Sequence, residues 1–376
     1  MPFETFLLER NQSLYENDVQ FNLTESGVEP LTLAELLTPA ELAELAAIRL
    51  GYNHTEGTPA ARRAIASWYP GATEANVLVT TGAAEANFVA YWTLMRPGDA
   101  LAMMLPNFMQ LHGLASAFGH PVRPFHLTPS ADGWRIDQAA LEAATARADT
   151  RLIAVCNPNN PTGAVLSEAE MNAIVAAARA GGAWLLVDEI YRGSELDGRP
   201  ETPTFFGRYA KTIITSSTSK SLAHAGLRIG WIVAPPDLLA EVVKRQDYTT
   251  IGTGPLNQHL AQLLLTPERR EAILARSRAI IGGNLEIIQA WIDRWGGRLA
   301  WRRPHAGGMA FVRYDFPIGS SELSRRIREQ ESVFVVAGDW FGLDRHLRIG
   351  SGGEPEHLEA ALARIDRVLE GVAANG

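Results

Sequence analysis

Short runs of consecutive apolar residues recur along the first two-thirds of the chain. They are Val77-Leu-Val79, Leu101-Ala-Met-Met-Leu105, Leu152-Ile-Ala-Val-Cys156, Trp184-Leu-Leu-Val187, Ile213-Ile214 and Trp231-Ile-Val233. Between them lie segments of helical length at 83–95, 107–118, 136–146 and 167–180. A strand buried on one face alternates apolar and polar residues; a strand buried on both faces does not. Unbroken apolar strands separated by helices therefore predict an α/β fold. Its core is a mostly parallel sheet, of a seven-stranded type, sandwiched by helices. Ligands of such sheets bind beyond the carboxyl ends of the strands. The polar, glycine-rich segments after each apolar run are the places to look for chemistry.

The flanking regions read differently. Residues 1–35 form a mixed arm with few long periodic segments, and 22–30 reads as an irregular crossing strand broken at Gly27 and Pro30. Thr38-Pro39 and Thr58-Pro59 each place a capping threonine before a proline at the first helical position, and the second opens a helix over 60–68. After Pro236 a long helical region is expected over 255–295. Short strands, a helix near 320–330 and a final helix from Glu354 follow. The expected organisation is an N-terminal arm (1–40) that forms part of a small domain, a large domain (41–270) and a C-terminal small α+β domain (271–376).

Composition narrows the class. Of 376 residues, 46% are hydrophobic and 20% charged, enough for a large core and too few charges for long disorder. The formal net charge of −8 argues against nucleic acid or an anionic membrane as partner. A lone cysteine, Cys156, excludes an internal disulfide framework and suits a reducing compartment. The start of the chain lacks the pattern of a secretory signal, and no uncharged apolar run approaches the roughly 20 residues that span a bilayer. A cytoplasmic protein is expected.

Six stretches carry unusual residues. In 215–231, Lys220 stands among small hydroxyl residues, including Ser217 and Ser219, with Arg228 eight residues on between Gly226 and Gly230. A lysine at the mouth of a buried sheet, crowded by hydroxyls and a cation, suits covalent work; the bland alternative is a surface lysine. Thr80-Thr-Gly-Ala-Ala84 ends a strand in a small-residue turn that opens a helix, so Gly82, Ala83 and Ala84 offer an anion site or an ordinary turn. Phe108 gives an aromatic face after a strand, for stacking or for the core. Asn157-Pro-Asn-Asn-Pro-Thr-Gly163 is a kinked loop that aims Asn160 into a pocket. Asp188 ends a buried strand, where a carboxylate needs a partner, and Tyr191 reaches the same side; Glu189 reads as supporting or surface. Arg348, within the apolar run of the small domain, needs an anion: a substrate carboxylate or an internal salt bridge. No residue is assigned to a metal.

A planar, anionic, carbonyl-bearing cofactor meets these groups together. A phosphate meets the turn at Gly82–Ala84, Ser217, Ser219 and Arg228. A ring stacks on Phe108, with its nitrogen on Asp188 and its phenolic oxygen on Asn160 and Tyr191. An aldehyde condenses with Lys220. That describes pyridoxal 5'-phosphate. Asn157-Pro-Asn-Asn-Pro-Thr-Gly163, Asp188-x-x-Tyr191 and Ser217-x-Ser-Lys220 with Arg228, in that order, resemble the fold-type-I pyridoxal-phosphate enzymes, specifically the class I/II aminotransferases. The resemblance covers nearly the whole chain. It implies a lysine Schiff base at Lys220, which then shuttles the proton, and Arg348 on the substrate α-carboxylate. It implies Gly27 in the same pocket, and Tyr52 reaching the cofactor phosphate of a neighbouring subunit. A homodimer with shared sites, acting on an amino acid and a 2-oxo acid, follows.

Glu25-Ser-Gly-Val28 and Asp247-Tyr-Thr-Thr-Ile251 are similar to the capreomycidine-synthase-like branch, whose members act on arginine-derived substrates. Glu25 either faces a cationic substrate side chain or lies on the surface. Arg192 and Arg345 are candidates for a second substrate-binding arginine. His224 reads as a loop histidine. Transamination is the expected activity. A lyase, cyclase or oxidase reaction on an arginine-like amino acid shares the same site. A non-enzymatic effector module on this fold would need an attached DNA-binding segment.

Overall fold

The computed structural model describes residues 4–374. Its strands are β1 (Phe21–Asn22), β2 (Val77–Thr80), β3 (Ala100–Leu105), β4 (Val122–Ser130), β5 (Gly133–Ile136), β6 (Thr150–Cys156), β7 (Trp184–Asp188), β8 (Thr212–Ser217), β9 (Gly230–Val233), β10 (Leu299–Trp301), β11 (Met309–Tyr314), β12 (Val333–Phe334), β13 (Val336–Ala337) and β14 (His346–Gly350). The large sheet has the order β2-β9-β8-β7-β6-β3-β4-β5. Neighbours from β8 to β4 pair in parallel, while β5, β9 and β2 each join antiparallel. Because β2 and β9 reverse in turn, six of the eight strands end on one edge, and that edge carries the site.

Every residue of β2, β8 and β9 is buried, as the unbroken apolar runs require. Each fully buried Val, Leu or Ile side chain contributes about 2 kcal/mol. Helices Gly82–Leu94 and Glu168–Gly181 cover the sheet, and apolar clusters lie on both its faces. The sheet has eight strands rather than the expected seven, and the six apolar runs missed two of them, β4 and β5. Strand β4 carries Pro124 and Pro129 and mixes buried with exposed positions, so it gives no apolar run. It forms a hairpin with β5, which is the edge of the sheet.

The small sheet, β10-β11-β14-β13, is antiparallel. The arm joins this side of the molecule, because β1 pairs in parallel with β12. Threonine-capped helices form at Pro39–Ala46 and Pro59–Ala66 as expected. Three expectations need correction. The helical region over 255–295 is two helices, Pro255–Leu264 and Pro267–Arg294, because Pro267 starts a new one after Thr266. The helix expected from 107 begins at Gln110. The arm contains a helix, Leu7–Tyr15, of which only Leu8 and Gln12 are buried; so thin an apolar stripe leaves little periodic signal.

Candidate active site

The carboxyl edge of the large sheet faces the arm across a cleft of about 440 Å³. Ala83, Ala84, Phe108, Asn160, Asp188, Tyr191, Ser217, Ser219, Lys220, Arg228 and Arg348 all line it. These residues come from segments up to 265 positions apart, so the fold brings together what the sequence suggested.

One end of the cleft is a cradle for an anion. Helix Gly82–Leu94 starts at Thr81, which gives no side-chain cap, so the first-turn amides of Ala83 and Ala84 have no side-chain acceptor there. Gly82 has φ +78°, and a Cβ on it would lie 2.5 Å from Nη2 of Arg228. Gly230 is closer still: a Cβ there would strike the backbone of Gly82 and Ala83. Glycine at both positions lets Arg228 and the helix start meet the ends of β8 and β9. Ser219 N–H donates to Ser217 Oγ at 3.1 Å, which turns the chain after β8. Gly226, by contrast, has open space around it. Tripartite donors of this kind (amides, hydroxyls and a guanidinium) fit a phosphate monoester.

The floor is Asp188, half-buried at the end of β7 between Cys156 of β6 and Thr215 of β8. Ile190 N–H donates to its Oδ1 at 3.0 Å. Desolvation outweighs that bond and the pull of Asn87 and Lys220, and pushes the carboxyl up to about 6. A carboxylate so placed gains from a ring N–H⁺, which matches the pyridine of the expected cofactor. Phe108 lines the cleft above and meets Phe6 edge-on, with centroids 4.9 Å apart.

The loop after β6 is braced internally. Asn157 Oδ1 accepts from Leu166 N–H, and Asn159 bonds both Thr162 and the Pro106 carbonyl. Asn160 is thereby turned to the cleft, where its Oδ1 accepts from Arg348 Nη1 at 2.9 Å. Arg348 is 2% exposed, and its hydrogen-bond partners are neutral: Asn160 and the Thr24 carbonyl. Among the described residues its Nε is buried without a partner. The alternative of an internal salt bridge is not what forms. A desolvated guanidinium among neutral partners is a site for a ligand carboxylate.

Lys220 differs from expectation in its charge neighbour. Its Nζ lies 3.0 Å from Glu25 Oε2, so the group beside it is an acid from the arm rather than a cation. Lys220 holds the Glu25 carboxyl below its ordinary range, against desolvation. Glu25 is therefore no plain surface residue. Tyr191, buried, shares a hydrogen bond of 2.8 Å with Ser26. Gly27 packs against the Lys220 loop, a Cβ on it lying 3.0 Å from the Ser219 carbonyl.

Several suggested residues stand elsewhere. Tyr52 is 96% exposed and lies outside the cleft of its own chain. Arg192 is buried against Glu201, Glu189 and the Trp68 carbonyl, and Arg345 donates to the Phe316 carbonyl; neither lines the cleft. Glu189 is buried, accepts from Phe205 N–H and Thr204, and is pushed up to about 7 by desolvation. His224 is in a loop but buried, its Nδ1 against the Leu222 carbonyl.

Sequence reading missed Asn87, Gln110, Ser26 and a row of residues on helix Leu7–Tyr15 and just past its end: Glu9, Gln12, Ser13 and Glu16. Two signals were available. Asn87 is a lone amide, buried on a helix that is mostly apolar after its first turn. Glu9, Gln12 and Glu16, at i, i+3 and i+7, form a polar stripe at helical spacing.

Comparisons with known proteins agree with this geometry. A family model described as aminotransferase class I and II matches residues 19–365. Capreomycidine synthase of Streptomyces vinaceus is 29% identical over 379 residues, covering 100% of this chain and 95% of that protein. The crystal structure of a PLP-dependent aminotransferase from Streptococcus suis superposes with a TM-score of 0.90 at 29% identity, covering 99% of each chain. The PLP-dependent cyclase OrfR superposes with a TM-score of 0.89 at 26% identity, covering 99% of this chain and 98% of that one. The chain belongs to the class I and II aminotransferases, a pyridoxal-phosphate-dependent family of fold type I.

Proposed function

We propose that the protein is a transaminase that moves an amino group from an L-amino acid to a 2-oxo acid. The observation that carries this reading is the convergence in one cleft of Asp188 from the end of β7, Lys220 from the turn after β8 and Arg348 from the middle of β14. When bound, pyridoxal phosphate supplies an electron sink for charge developing at the substrate α-carbon. Ala83, Ala84, Ser217, Ser219 and Arg228 hold its phosphate, and Phe108 covers its ring. The Asp188 carboxylate keeps a proton on the ring nitrogen. Asn160 and Tyr191 hold the ring oxygen. Arg348 grips the substrate carboxylate and so fixes which bond of the α-carbon faces Lys220. Lys220 would be the residue that holds the cofactor covalently, and its amine is the base that would take the α-proton.

The active form is proposed to be a homodimer. The exposure of Tyr52 and Leu50 supports this reading, in which Tyr52 would serve the cleft of a second copy.

A specific observation favours a second reading, a lyase, cyclase or oxidase reaction on an arginine-like amino acid. Glu9, Glu16 and Glu25 all line the cleft, an acidic wall suited to a cationic side chain. The similarity to capreomycidine synthase and to the cyclase OrfR points the same way. The test is to add a panel of amino acids to the holoenzyme without a 2-oxo acid and follow cofactor and product by mass spectrometry. Transamination leaves the substrate's amino group on the cofactor and releases a keto acid. Product formation over many turnovers, with the cofactor unchanged, would replace the first reading by the second.

A further inference from the structure

We infer that Ser26 is a positioning residue for Tyr191, and that through it the seating of the arm sets the state of the cofactor's ring oxygen. This rests on the cofactor reading above. Ser26 and Tyr191 are each 2% exposed, and their hydroxyls lie 2.8 Å apart. A phenol has one proton to give. If Ser26 donates to the Tyr191 oxygen, the Tyr191 proton is left to point into the cleft, and the shared bond strengthens it as a donor.

The two hydroxyls belong to different parts of the molecule. Tyr191 follows β7 of the large sheet. Ser26 sits in a stretch clamped to the other side. Leu23 N–H donates to the Phe334 carbonyl, Gly350 N–H to the Leu23 carbonyl and Glu29 N–H to the Gly352 carbonyl, at 2.8–2.9 Å. Arg348 binds the Thr24 carbonyl. Three glycines admit the stretch: a Cβ on Gly308 would lie 2.9 Å from the Gly27 carbonyl, and one on Gly350 or Gly352 would strike the carbonyls of Glu25 or Gly27. The neighbouring Glu25 engages Lys220. Two successive arm residues thus hold the two reactive hydroxyl and amine groups of the large domain, while their backbone is fixed to β12 and the end of β14. Loss of the arm's seat withdraws both contacts together.

A donor on the ring oxygen stabilises its unprotonated form, so weakening that donor moves the proton equilibrium of the bound cofactor to higher pH. The experiment is a pH titration of the cofactor's absorbance in substrate-free holoenzyme. Ser26→Ala is expected to retain cofactor and raise the midpoint by about half a pH unit, roughly a threefold change in the equilibrium. Ser26→Thr, which keeps a hydroxyl, returns it to the wild-type value. In a Tyr191→Phe background, Ser26→Ala adds no further shift. A Ser26→Ala titration superimposed on wild type, or a full shift persisting with Tyr191→Phe, would overturn the inference alone. Failure of borohydride to fix the cofactor at Lys220 in wild type would overturn the underlying reading, and this inference with it.

Discussion

The two walls of the cleft are built on different terms. The sheet wall presents Asp188, Tyr191, Ser217, Ser219 and Lys220 from the ends of buried strands and the turns directly after them, so each position is set by a rigid ladder. The arm wall presents Glu9, Gln12, Glu16, Glu25 and Ser26 from a short helix and an irregular strand. Helix Leu7–Tyr15 is pinned by Leu8, by the hydrogen bonds of Gln12 to Thr24, and by Tyr15 against Phe334 and Arg328. The contrast teaches a division of labour. On the proposed function, the groups for chemistry common to the family stand on the rigid wall. Discrimination among substrates is assigned to the wall that can change its residues and its seat at small cost to the core.

The sharpest way to break that division is at Lys220. Lys220→Ala is expected to stay folded, lose its yellow absorbance and lose turnover on the order of 10⁴-fold or more. A borohydride-fixed cofactor on a different lysine of that variant would sink the assignment. Asp188→Asn comes next, with turnover falling roughly 10²–10³-fold while cofactor stays bound. It also carries a pH signature. The folded cofactor-free protein holds the Asp188 proton up to about pH 6, against 3.8 for the free side chain. Its contribution is therefore most favourable below about pH 4 and is lost as pH rises through 6, by up to about 3 kcal/mol. Urea midpoints of wild-type apoprotein, referred to Asp188→Asn, should drop across that window. A flat difference would show that Asp188 is solvated.

The same contrast explains what was legible in the sequence. The sheet wall could be read because strand burial writes unbroken apolar runs, and because the functional residues follow those runs within a few positions. Lys220, Asp188 and Asn160 were found that way. Strand β4 escaped because prolines and exposed positions interrupt it, and β5 because its four residues hold no apolar run. The arm escaped because its partners are remote in sequence: Glu25 meets Lys220 195 residues away, and Ser26 meets Tyr191 165 residues away. No local pattern encodes such pairs. Arg348 lies between the two cases. Its oddity within an apolar strand was visible, but its neutral partners, Asn160 and Thr24, were not.

Arg348 tests whether the small-sheet side belongs with the chemistry or with recognition. Arg348→Ala should raise KM for amino acids about 100-fold, the loss of a two-pronged ion pair, and change cofactor affinity only a few-fold. Arg348→Lys should recover part of this, since an ammonium cannot match the fork of a guanidinium. Equal losses of cofactor and substrate binding would place Arg348 on the cofactor instead.

The smallest expected effect is also the most specific to the arm. Glu9 is held above its ordinary range by desolvation first, and Glu25 and Glu16 raise it further against Lys220 and Arg348. Glu16 is raised in the same way, by desolvation and then by Glu25. Carboxylates that crowd one another beside open space are relieved by a cation in that space. Replacing both with glutamine keeps shape and removes charge. KM for arginine and lysine should rise about fivefold to thirtyfold, since partly exposed ion pairs are worth about 0.5–1 kcal/mol each. KM for alanine should stay level or fall, and the cofactor spectrum should not change. An equal change for alanine and arginine would mean that the arm shapes the cleft without reading charge, and would erase the distinction between the two walls.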